Sequence, residues 1–564
     1  MGMTQTHTQP SDVEIAQAHT LEPITEIAKR AGIPAEAIIP FGNTKAKVEL
    51  DKLDPKQEEN SQLVLVTGMS PTPAGEGKST VLIGLADALN AAGKRTAVAL
   101  REPSQGPVMG IKGGAAGGGY AQVVPMEDIN LHFTGDFHAI TAANNTLAAM
   151  VDNHIQQGNE LTIDPRRITW QRCLDVNDRA LRNVVLGLGG PAHGMPRESG
   201  FTITAASEIM AILGLATDLH DLKERLGNIT IGFSYEGTPI TAKDLKAEGA
   251  LTALMKDAMN PNLVQTLGGT PAFVHGGPFA NIAHGCNTLA ATRAALRSAD
   301  VVVTEAGFGS DLGAEKFFDI KARAGGLQVD AVVIVATIRS LKYNGGVARD
   351  ELTKEDTAAL QQGLVNLDRH VDNIRSFGVE PVVALNMFIS DTDAEREVLA
   401  QWASTKGVRI AETRVWAEGG AGAAQLAEEV LDILGTKNAE DEQQLYDPAD
   451  GVEASIEKIA TRIYRAKDVE YAPKALKDLA VIKANGWDQL PVCISKNQYS
   501  FSDDATQLGA PEGHTLHVRE LLPRTGAGFI VVLTGAVMTM PGLPKRPAAE
   551  RIDIDDAGKI SGVF

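Results

Sequence analysis

Short apolar segments rich in β-branched residues alternate with longer amphipathic segments over much of this chain. The amphipathic segments, such as Thr80–Ala92 and Ala358–Ser376, have helical spacing of their apolar positions. Apolar strands separated by helices indicate an α/β fold, with a parallel sheet covered by helices on both faces. The predicted buried strands are Leu63–Thr67, Thr96–Leu100, Val184–Leu188, Ile229–Phe233, Val301–Thr304, Val332–Ala336 and Val382–Leu385.

Three segments depart from this alternation. Residues 13–57 are predicted to form a helical lead-in, because Ile24 and Ile27 follow helical spacing. Gly106–Gly119 contains seven glycines, and Asn438–Pro448 is polar and is predicted to be a surface connection. The chain has 564 residues, which exceeds the ~250–300 residues at which a single core stops growing, so more than one domain is expected.

The charge of the chain changes the picture of its ligands. The formal net charge is −19, which argues against nucleic acid as a partner. If the ligands are anions, the cations that bind them must be concentrated in a pocket.

Apolar stretches and cysteines bear on the compartment. The longest apolar stretches, Ala331–Ile338 and Phe529–Met540, are shorter than the ~20 residues of a membrane span, and the first twelve residues are polar. Cys173, Cys286 and Cys493 are widely separated, which argues against a disulfide framework or a multi-cysteine zinc site. We therefore predict a cytoplasmic protein without a membrane span.

The strongest local signal is a strand, a glycine-containing loop and a Gly-Lys-Ser sequence at the start of a helix. Phosphate groups require converging backbone N–H groups at a helix N-terminus, a lysine, and a hydroxyl for Mg²⁺. Gly77, Lys78 and Ser79 supply these groups directly after the strand and its loop. Thr72 stands where the P-loop pattern has its first glycine, and Gly75 is expected to supply part of the lost freedom.

Two further residues follow predicted strands. Glu305 leads into the loop Ala306–Gly309 and could face Mg²⁺, as nucleotide sites require a carboxylate at a strand end. Arg101 follows the strand Thr96–Leu100, which we expect beside the phosphate-loop strand and at the same sheet edge as Lys78. The alternatives are a solvated strand-end carboxylate for Glu305 and a surface ion pair for Arg101.

Four histidines, His132, His138, His275 and His284, lie near carboxylates in the sequence. The chain has no HExxH pattern or comparable ligand spacing around them. We interpret them as structural or substrate-orienting residues.

Long strings of residues in collinear order, from about Leu63 to the C-terminus, carry a resemblance to a known family. They are Pro71–Thr80, Arg101–Ser104, Gly110–Asp136, Thr270–Asn287, Thr304–Phe317 and Gly535–Arg546. Together they resemble formate–tetrahydrofolate ligases, also called formyltetrahydrofolate synthetases. These strings are far more specific than the phosphate loop alone, and Ser79 keeps the hydroxyl that many relatives supply with threonine.

The resemblance implies a P-loop-type parallel sheet as nucleotide-binding domain, with smaller α/β lobes. We expect an ATP- and formate-binding domain over residues 1–375, with an inserted lobe around 140–270. A C-terminal α/β region over residues 376–564 is expected to contribute the folate site.

The implied reaction is the ATP-dependent ligation of formate to tetrahydrofolate through formyl phosphate, giving 10-formyltetrahydrofolate, ADP and phosphate. Members of the family use Mg-ATP, respond to monovalent cations such as K⁺ or NH₄⁺, and are cytoplasmic homotetramers. The expected partners are therefore the small molecules ATP, formate and tetrahydrofolate, and a second copy of the chain, with no membrane and no nucleic acid.

The resemblance also implies roles for the charged residues. Lys78 is expected to hold the γ-phosphate, and Arg101 to clamp formate or formyl phosphate, because a planar guanidinium matches a carboxylate bidentately. Glu102 is expected at the catalytic centre, and Glu102 and Asp136 are expected to hold a monovalent cation or to orient other groups. The predicted ATP-binding residues are Thr72, Pro73, Ala74, Gly75, Glu76, Gly77, Lys78, Ser79, Glu305 and Phe308, with Ser79 also facing Mg²⁺.

Folate requires a flat apolar face for the pterin ring. By resemblance, Phe388 and Trp416 form an aromatic pair that sandwiches this ring. The alternative for both residues is a place in the hydrophobic core.

Two other functions share part of these signals. A regulatory P-loop ATPase would need Pro71–Thr80 and Glu305 but not Arg101 or Trp416. A kinase for a small carboxylic acid would transfer phosphate without folate. Dependence of ATP turnover on both formate and tetrahydrofolate separates the three.

Overall fold

The structure is a computed structural model that describes residues 10–73, 75–110, 116–436, 444–535 and 537–563. Ala74, one of the predicted ATP-binding residues, lies outside the described residues. So do residues 438–443 of the predicted surface connection.

A large, mostly parallel sheet forms the centre of the described chain. In chain order its strands are β1 (Ile38–Pro40), β2 (Ala46–Val48), β3 (Gln62–Gly68), β4 (Thr96–Leu100), β5 (Gly117–Gly118), β6 (Ala121–Val124), β7 (Asn262–Thr266), β8 (Pro271–Val274), β9 (Val301–Gly309), β10 (Ala331–Ala336), β11 (Pro381–Asn386) and β12 (Arg409–Thr413). Their spatial order is β1-β2-β7-β8-β4-β9-β3-β10-β11-β12, and β6 pairs with both β7 and β5. Neighbouring strands from β8 to β12 in this order are parallel.

Helices cover both faces of the sheet because its strands are apolar on both sides. Along β3, Leu63 and Leu65 belong to one hydrophobic cluster, and Val64 and Val66 belong to another. The α-helices of seven or more residues are Asp12–Ala18, Ile24–Arg30, Lys78–Ala91, Asp136–Gln156, Glu208–Leu215, Leu219–Gly227, Glu248–Met255, Leu289–Leu296, Ile338–Asn344, Thr357–Arg375, Asp393–Lys406, Ala424–Gly435, Val452–Arg462 and Pro473–Ala484. The predicted α/β fold with a parallel sheet and smaller lobes is confirmed.

Smaller sheets lie outside the central one. They pair Val184–Leu186 with Arg197–Ser199, Arg172–Leu174 with Phe201–Ile203, Thr230–Ser234 with Ile163–Ile168 and Pro239–Thr241, Asp468–Tyr471 with Thr515–Val518, Phe529–Leu533 with Val492–Ser495 and Glu520–Arg524, and Asp553–Ile554 with Ile560–Ser561. A third hydrophobic cluster joins residues 140–259 to residues 493–533 of the C-terminal part. Strands β11 and β12 follow position 375 and belong to the central sheet, and the predicted domain boundaries stay a prediction.

Several predictions about elements need correction. Val184–Leu188 is not a buried strand: its first three residues form one strand of a two-stranded antiparallel sheet, and the side chains of Val185 and Leu188 are 54% and 66% exposed. The lead-in is not helical throughout, because β1 and β2 extend the sheet edge. The predicted neighbours β3 and β4 are separated by β9. Within the predicted surface connection, Leu445 and Tyr446 are buried.

Among the described residues, no helix combines the length and apolar character that a membrane crossing requires. The three cysteines are free and buried.

Candidate active site

Three neighbouring strands bring the predicted charged residues to one edge of the sheet. Glu305 lies on the central strand β9, Arg101 directly follows β4, and Lys78 begins the helix after β3. Parallel strands place their carboxyl ends at the same edge, which is where ligands bind in open α/β sheets. The prediction that Arg101 and Lys78 share an edge is therefore confirmed, although β9 lies between their strands.

The loop after β3 turns into the helix Lys78–Ala91 with Gly77 as its N-cap. Gly77 has φ 70° and Gly75 has φ 82°, values that glycine adopts readily. A Cβ on Gly77 would lie 2.5 Å from Asn386 Nδ2, so a side chain cannot be accommodated without movement of Asn386. The predicted loop residues Pro73, Gly75 and Gly77 are exposed, whereas Thr72 and Glu76 are buried.

A bulge at the end of β9 brings backbone towards the same edge. The pairing of β9 with β3 shifts between Glu305, opposite Val66, and Gly309, opposite Gly68. Phe308, in the bulge, has φ 62°. A bulky residue in this region is unusual, and such residues cluster at functional sites.

Glu305 is held between two cations and a hydroxyl. Arg101 Nε donates to Glu305 Oε1 at 3.1 Å, and Ser79 Oγ donates to Glu305 Oε2 at 3.1 Å. Lys78 Nζ donates to the carbonyl oxygen of Ala306 at 2.6 Å. Burial acts to raise the pKa of Glu305, but the charges of Arg101 and Lys78 and the hydrogen bonds from Arg101 and Ser79 outweigh it, so this pKa lies below its ordinary value.

This arrangement can bind a phosphate group next to a second anion. Lys78 and Arg101 bring two positive charges to the ends of strands on either side of β9, in a protein whose net charge is −19. Ser79 and Glu305 provide a hydroxyl and a carboxylate, and these hard oxygen donors, together with substrate phosphates, suit Mg²⁺. No group of three or more His, Cys, Asp or Glu side chains in the described part of the chain is arranged to hold a metal ion by itself.

Glu102 lies behind this edge and is almost fully buried. Its Oε2 has no hydrogen-bond partner among the described residues. Burial and the nearby charge of Asp136 raise the pKa of Glu102 well above its ordinary value. Both oxygens of Asp136 are engaged, since Oδ1 accepts from Lys47 Nζ at 2.8 Å and Oδ2 accepts from Asn262 Nδ2 at 2.7 Å.

Two of the four histidines are deeply buried in the structure. The ring nitrogens of His275 lie 2.8 Å from Thr288 Oγ1 and 2.6 Å from the carbonyl oxygen of Ala258. Neither ring nitrogen of His284 has a hydrogen-bond partner among the described residues. Burial, and then the charges of Lys321, Lys316 and Arg101, lower the pKa of His284 to about 3, so its ring is neutral.

The predicted aromatic residues follow β11 and β12, the last two strands in the spatial order of the sheet. Phe388 lies just beyond β11 and Trp416 just beyond β12, and both are partly exposed rather than core residues. The guanidinium of Arg339 lies 4.0 Å from the centroid of the Phe388 ring. The carbonyl oxygen of Trp416 accepts from the Tyr120 N–H at 2.9 Å, and a Cβ on Gly119 would lie 2.0 Å from that oxygen, which explains one glycine of the glycine-rich segment.

Comparison with known proteins decides the family. The sequence profile described as formate–tetrahydrofolate ligase matches residues 10–564. A formate–tetrahydrofolate ligase of Corynebacterium jeikeium is 69% identical over 99% of this chain and 98% of the relative. The chain belongs to the formate–tetrahydrofolate ligase family. Relatives of the same name from Corynebacterium diphtheriae (67% identical, 98% of this chain and 100% of the relative) and Staphylococcus carnosus (60% identical, 99% and 100%) agree with this.

Sequence reasoning missed several residues at this edge of a formate–tetrahydrofolate ligase fold. Thr337 and Arg339 follow β10, the strand between β3 and β11, and Asn386 ends β11. A polar residue directly after each predicted buried strand would have been a usable signal for Thr337 and Asn386. The roles of the predicted site residues stay predictions.

Proposed function

We propose that this protein ligates formate to tetrahydrofolate at the expense of ATP. The observation that carries the proposal is the convergence of Lys78 and Arg101 on Glu305, at the ends of three adjacent strands, in a chain matched by the family profile over residues 10–564. A formate oxygen attacks the γ-phosphorus of ATP, the bond to the β–γ bridging oxygen breaks, and ADP leaves. The N10 amine of tetrahydrofolate then attacks the carbonyl carbon of formyl phosphate, releases phosphate and loses a proton.

Both steps concentrate negative charge, so fixed cations dominate their catalysis. Lys78 holds the γ-phosphoryl group, and Arg101 holds formate and then formyl phosphate through its planar guanidinium. The other ATP-binding residues are Thr72, Pro73, Ala74, Gly75, Glu76, Gly77, Ser79, Glu305 and Phe308. Ser79 and Glu305 face the Mg²⁺ of Mg-ATP, which neutralises phosphate charge when bound.

Phe388 and Trp416 bind the pterin ring of tetrahydrofolate. Their partial exposure at the carboxyl ends of adjacent strands supports this role over a core role. Arg339 lies on one face of Phe388, so the pterin ring would stack on the other face.

A monovalent cation, K⁺ or NH₄⁺, binds near Glu102 and Asp136. Glu102 Oε2 is buried without a hydrogen-bond partner among the described residues, and such an oxygen requires either a proton or a cation. Asp136 is already paired with Lys47, so we expect Glu102 to contribute more of the binding.

The active form is a cytoplasmic homotetramer. The family and the three free cysteines support a reducing compartment. Sedimentation of the purified protein tests the number of subunits.

The test of the function is formation of 10-formyltetrahydrofolate by the purified protein. We expect the product to require ATP, Mg²⁺, formate and tetrahydrofolate together. ATP hydrolysis that is indifferent to formate and folate would instead identify a regulatory ATPase. Phosphate transfer to formate without any dependence on folate would identify a carboxylate kinase.

A further inference from the structure

The carboxylate of Glu76 connects the phosphate-binding loop to the end of a neighbouring strand. Its Oε1 accepts from the Thr72 N–H at 2.6 Å, and its Oε2 accepts from the Thr337 hydroxyl. The carbonyl oxygen of Glu76 also accepts from Asn386 Nδ2 at 3.1 Å. The Glu76 side chain is buried, so these hydrogen bonds are shielded from competing water.

The donors on the far side of this connection lie at the ends of β10 and β11, close to Arg339 and Phe388. Thr337 follows β10 and caps the helix Ile338–Asn344, whose first turn contains Arg339. Asn386 ends β11, two positions before Phe388. The Arg339 guanidinium lies on the Phe388 ring, so the segments that follow β10 and β11 are in contact at this pair.

Hydrogen-bond chemistry shows that Thr337 is the donor and Glu76 the acceptor. The Thr337 hydroxyl accepts from the Ser340 N–H at 3.0 Å. It has one proton, and a carboxylate can only accept, so that proton points to Glu76. Loss of the carboxylate would leave the Thr72 N–H and the Thr337 hydroxyl without this acceptor.

We propose that Glu76 is a positioning residue that couples the phosphate-binding loop to the Arg339–Phe388 pair, so that nucleotide and folate strengthen each other's binding. The inference rests on the ATP and folate roles proposed above. Phosphate binding holds Glu76 in position, Glu76 holds Thr337 and Asn386, and folate then meets a Phe388 ring whose place beside Arg339 is already set. Such coupling is reciprocal, because each ligand must change the affinity of the other by the same factor.

Binding titrations without turnover test the proposal. The dissociation constant of tetrahydrofolate is measured with and without a non-hydrolysable ATP analogue and Mg²⁺, and the converse titration checks reciprocity. We expect a coupling factor of about 5 or more in the native protein. In Glu76→Ala the factor should fall to about 1, whereas Glu76→Gln should retain most of it, since the amide oxygen can accept from Thr72 and the amide nitrogen can donate to Thr337.

A second pair of variants is independent of the loop itself. Thr337→Val removes the hydroxyl and should abolish the coupling, while Thr337→Ser keeps the hydroxyl and should preserve it. This pair also decides the matter if Glu76→Ala does not fold.

The proposal and the enzymatic function fail in different ways. A native protein that forms 10-formyltetrahydrofolate but has a coupling factor of 1 would overturn the coupling alone. Retention of the native coupling factor in Thr337→Val would overturn it as well. A protein that binds neither ligand would overturn the proposed function and the coupling with it.

Discussion

Glu305 and Glu315 lie on the same stretch of chain and are both fully buried, yet their pKa values shift in opposite directions. Arg101, Lys78 and Ser79 hold the pKa of Glu305 below its ordinary value although burial alone would raise it. Burial and the neighbouring Asp319 raise the pKa of Glu315 well above its ordinary value. The fold therefore favours the charged form of the first carboxylate and the neutral form of the second.

The region around Glu315 differs from the active-site edge in structure as well as in charge. It consists of two π-helical segments, Ser310–Ala314 and Phe317–Ala322, directly after β9. Burial raises the pKa of Asp319 to about 7 and lowers the pKa of Lys321 to about 7. Lys321 donates to neutral groups, Asn287 Oδ1 at 2.5 Å and Thr292 Oγ1 at 2.8 Å, rather than to a carboxylate.

The comparison shows that burial alone does not decide the charge of a residue. Converging cations and hydroxyls lower the pKa of a buried carboxylate and favour its charged form, whereas a neighbouring acid adds to the effect of burial and favours the neutral form. The charged form is therefore favoured at the edge where Arg101 and Lys78 converge, and the neutral form is favoured in the region around Glu315. Five experiments break or sharpen this contrast.

Lys78→Ala removes one of the two cations that act on Glu305. We expect kcat to fall by on the order of 10²–10³, because the charge is needed more in the transition state than in the ground state. Steady-state kinetics with saturating substrates measures the effect. Near-native kcat would show that the loop before Lys78 is not the phosphate site.

Arg101→Lys keeps the positive charge beside Glu305 but loses the planar fork. We expect the apparent affinity for formate to fall roughly 10- to 100-fold, the scale of one charge-assisted hydrogen bond, with little change in nucleotide binding. Saturation curves for formate and for ATP check this. Unchanged formate saturation with weakened ATP binding would assign Arg101 to the nucleotide.

Trp416→Ala changes an uncharged residue at the same edge. Loss of stacking and apolar burial should weaken tetrahydrofolate binding by about 5- to 150-fold, roughly 1–3 kcal/mol, and leave ATP binding almost unchanged. Both affinities are measured together with the melting temperature. A large fall in melting temperature with native folate affinity would identify a core tryptophan instead.

Asp319→Asn tests the region around Glu315 through the pH dependence of stability. The pKa of Asp319 is raised from 3.8 to about 7 by folding, so the native state binds more protons than the unfolded state in this range. Asp319 therefore contributes stability that is lost as pH rises from about 4 to 7, by up to about 1.4 kcal/mol per pH unit. Denaturant unfolding across this range should show that this falling contribution is missing in Asp319→Asn.

The exposed Asp556 provides the matched control for this experiment. Asp556→Asn should keep the native pH dependence of stability. The contribution of Lys321 to stability changes with pH in the opposite direction. Its pKa is lowered from 10.5 to about 7, so this contribution should increase as pH rises above 7. An identical slope between pH 4 and 7 in the native protein and Asp319→Asn would show that Asp319 is ionised throughout.

Glu315→Gln should have the smallest effect. The amide resembles the protonated acid in shape and charge, so we expect the free energy of unfolding at pH 7 to change by less than about 1 kcal/mol. Glu305→Gln is the paired variant, and it should reduce activity because it removes the anion between Arg101 and Lys78. Equal changes in activity and in the free energy of unfolding for the two variants would contradict the contrast between the two regions.

The sequence by itself determined the class of fold and which predicted charged residues reach the same edge of the sheet. Five of the seven predicted strands lie in the central sheet, because runs of buried apolar residues allow few other structures. Val184–Leu188 has the same composition but contributes to a two-stranded antiparallel sheet and is partly exposed, since periodicity does not report what covers a strand. Lys78, Arg101 and Glu305 each follow such a run or its loop, and parallel strands bring these positions to the same edge of the sheet whatever the strand order.

Only the tertiary structure decided which residues contact one another. The order of strands depends on how helices pack across the sheet, so the place of β9 between β3 and β4, and with it the Arg101–Glu305 pair, could not be obtained from local sequence. Lys47 comes from the lead-in and pairs with Asp136, a contact that no local pattern reports. The pKa values of Glu305 and Glu315 shift in opposite directions for the same reason, because the pKa of a buried carboxylate depends on the charges that the fold places beside it.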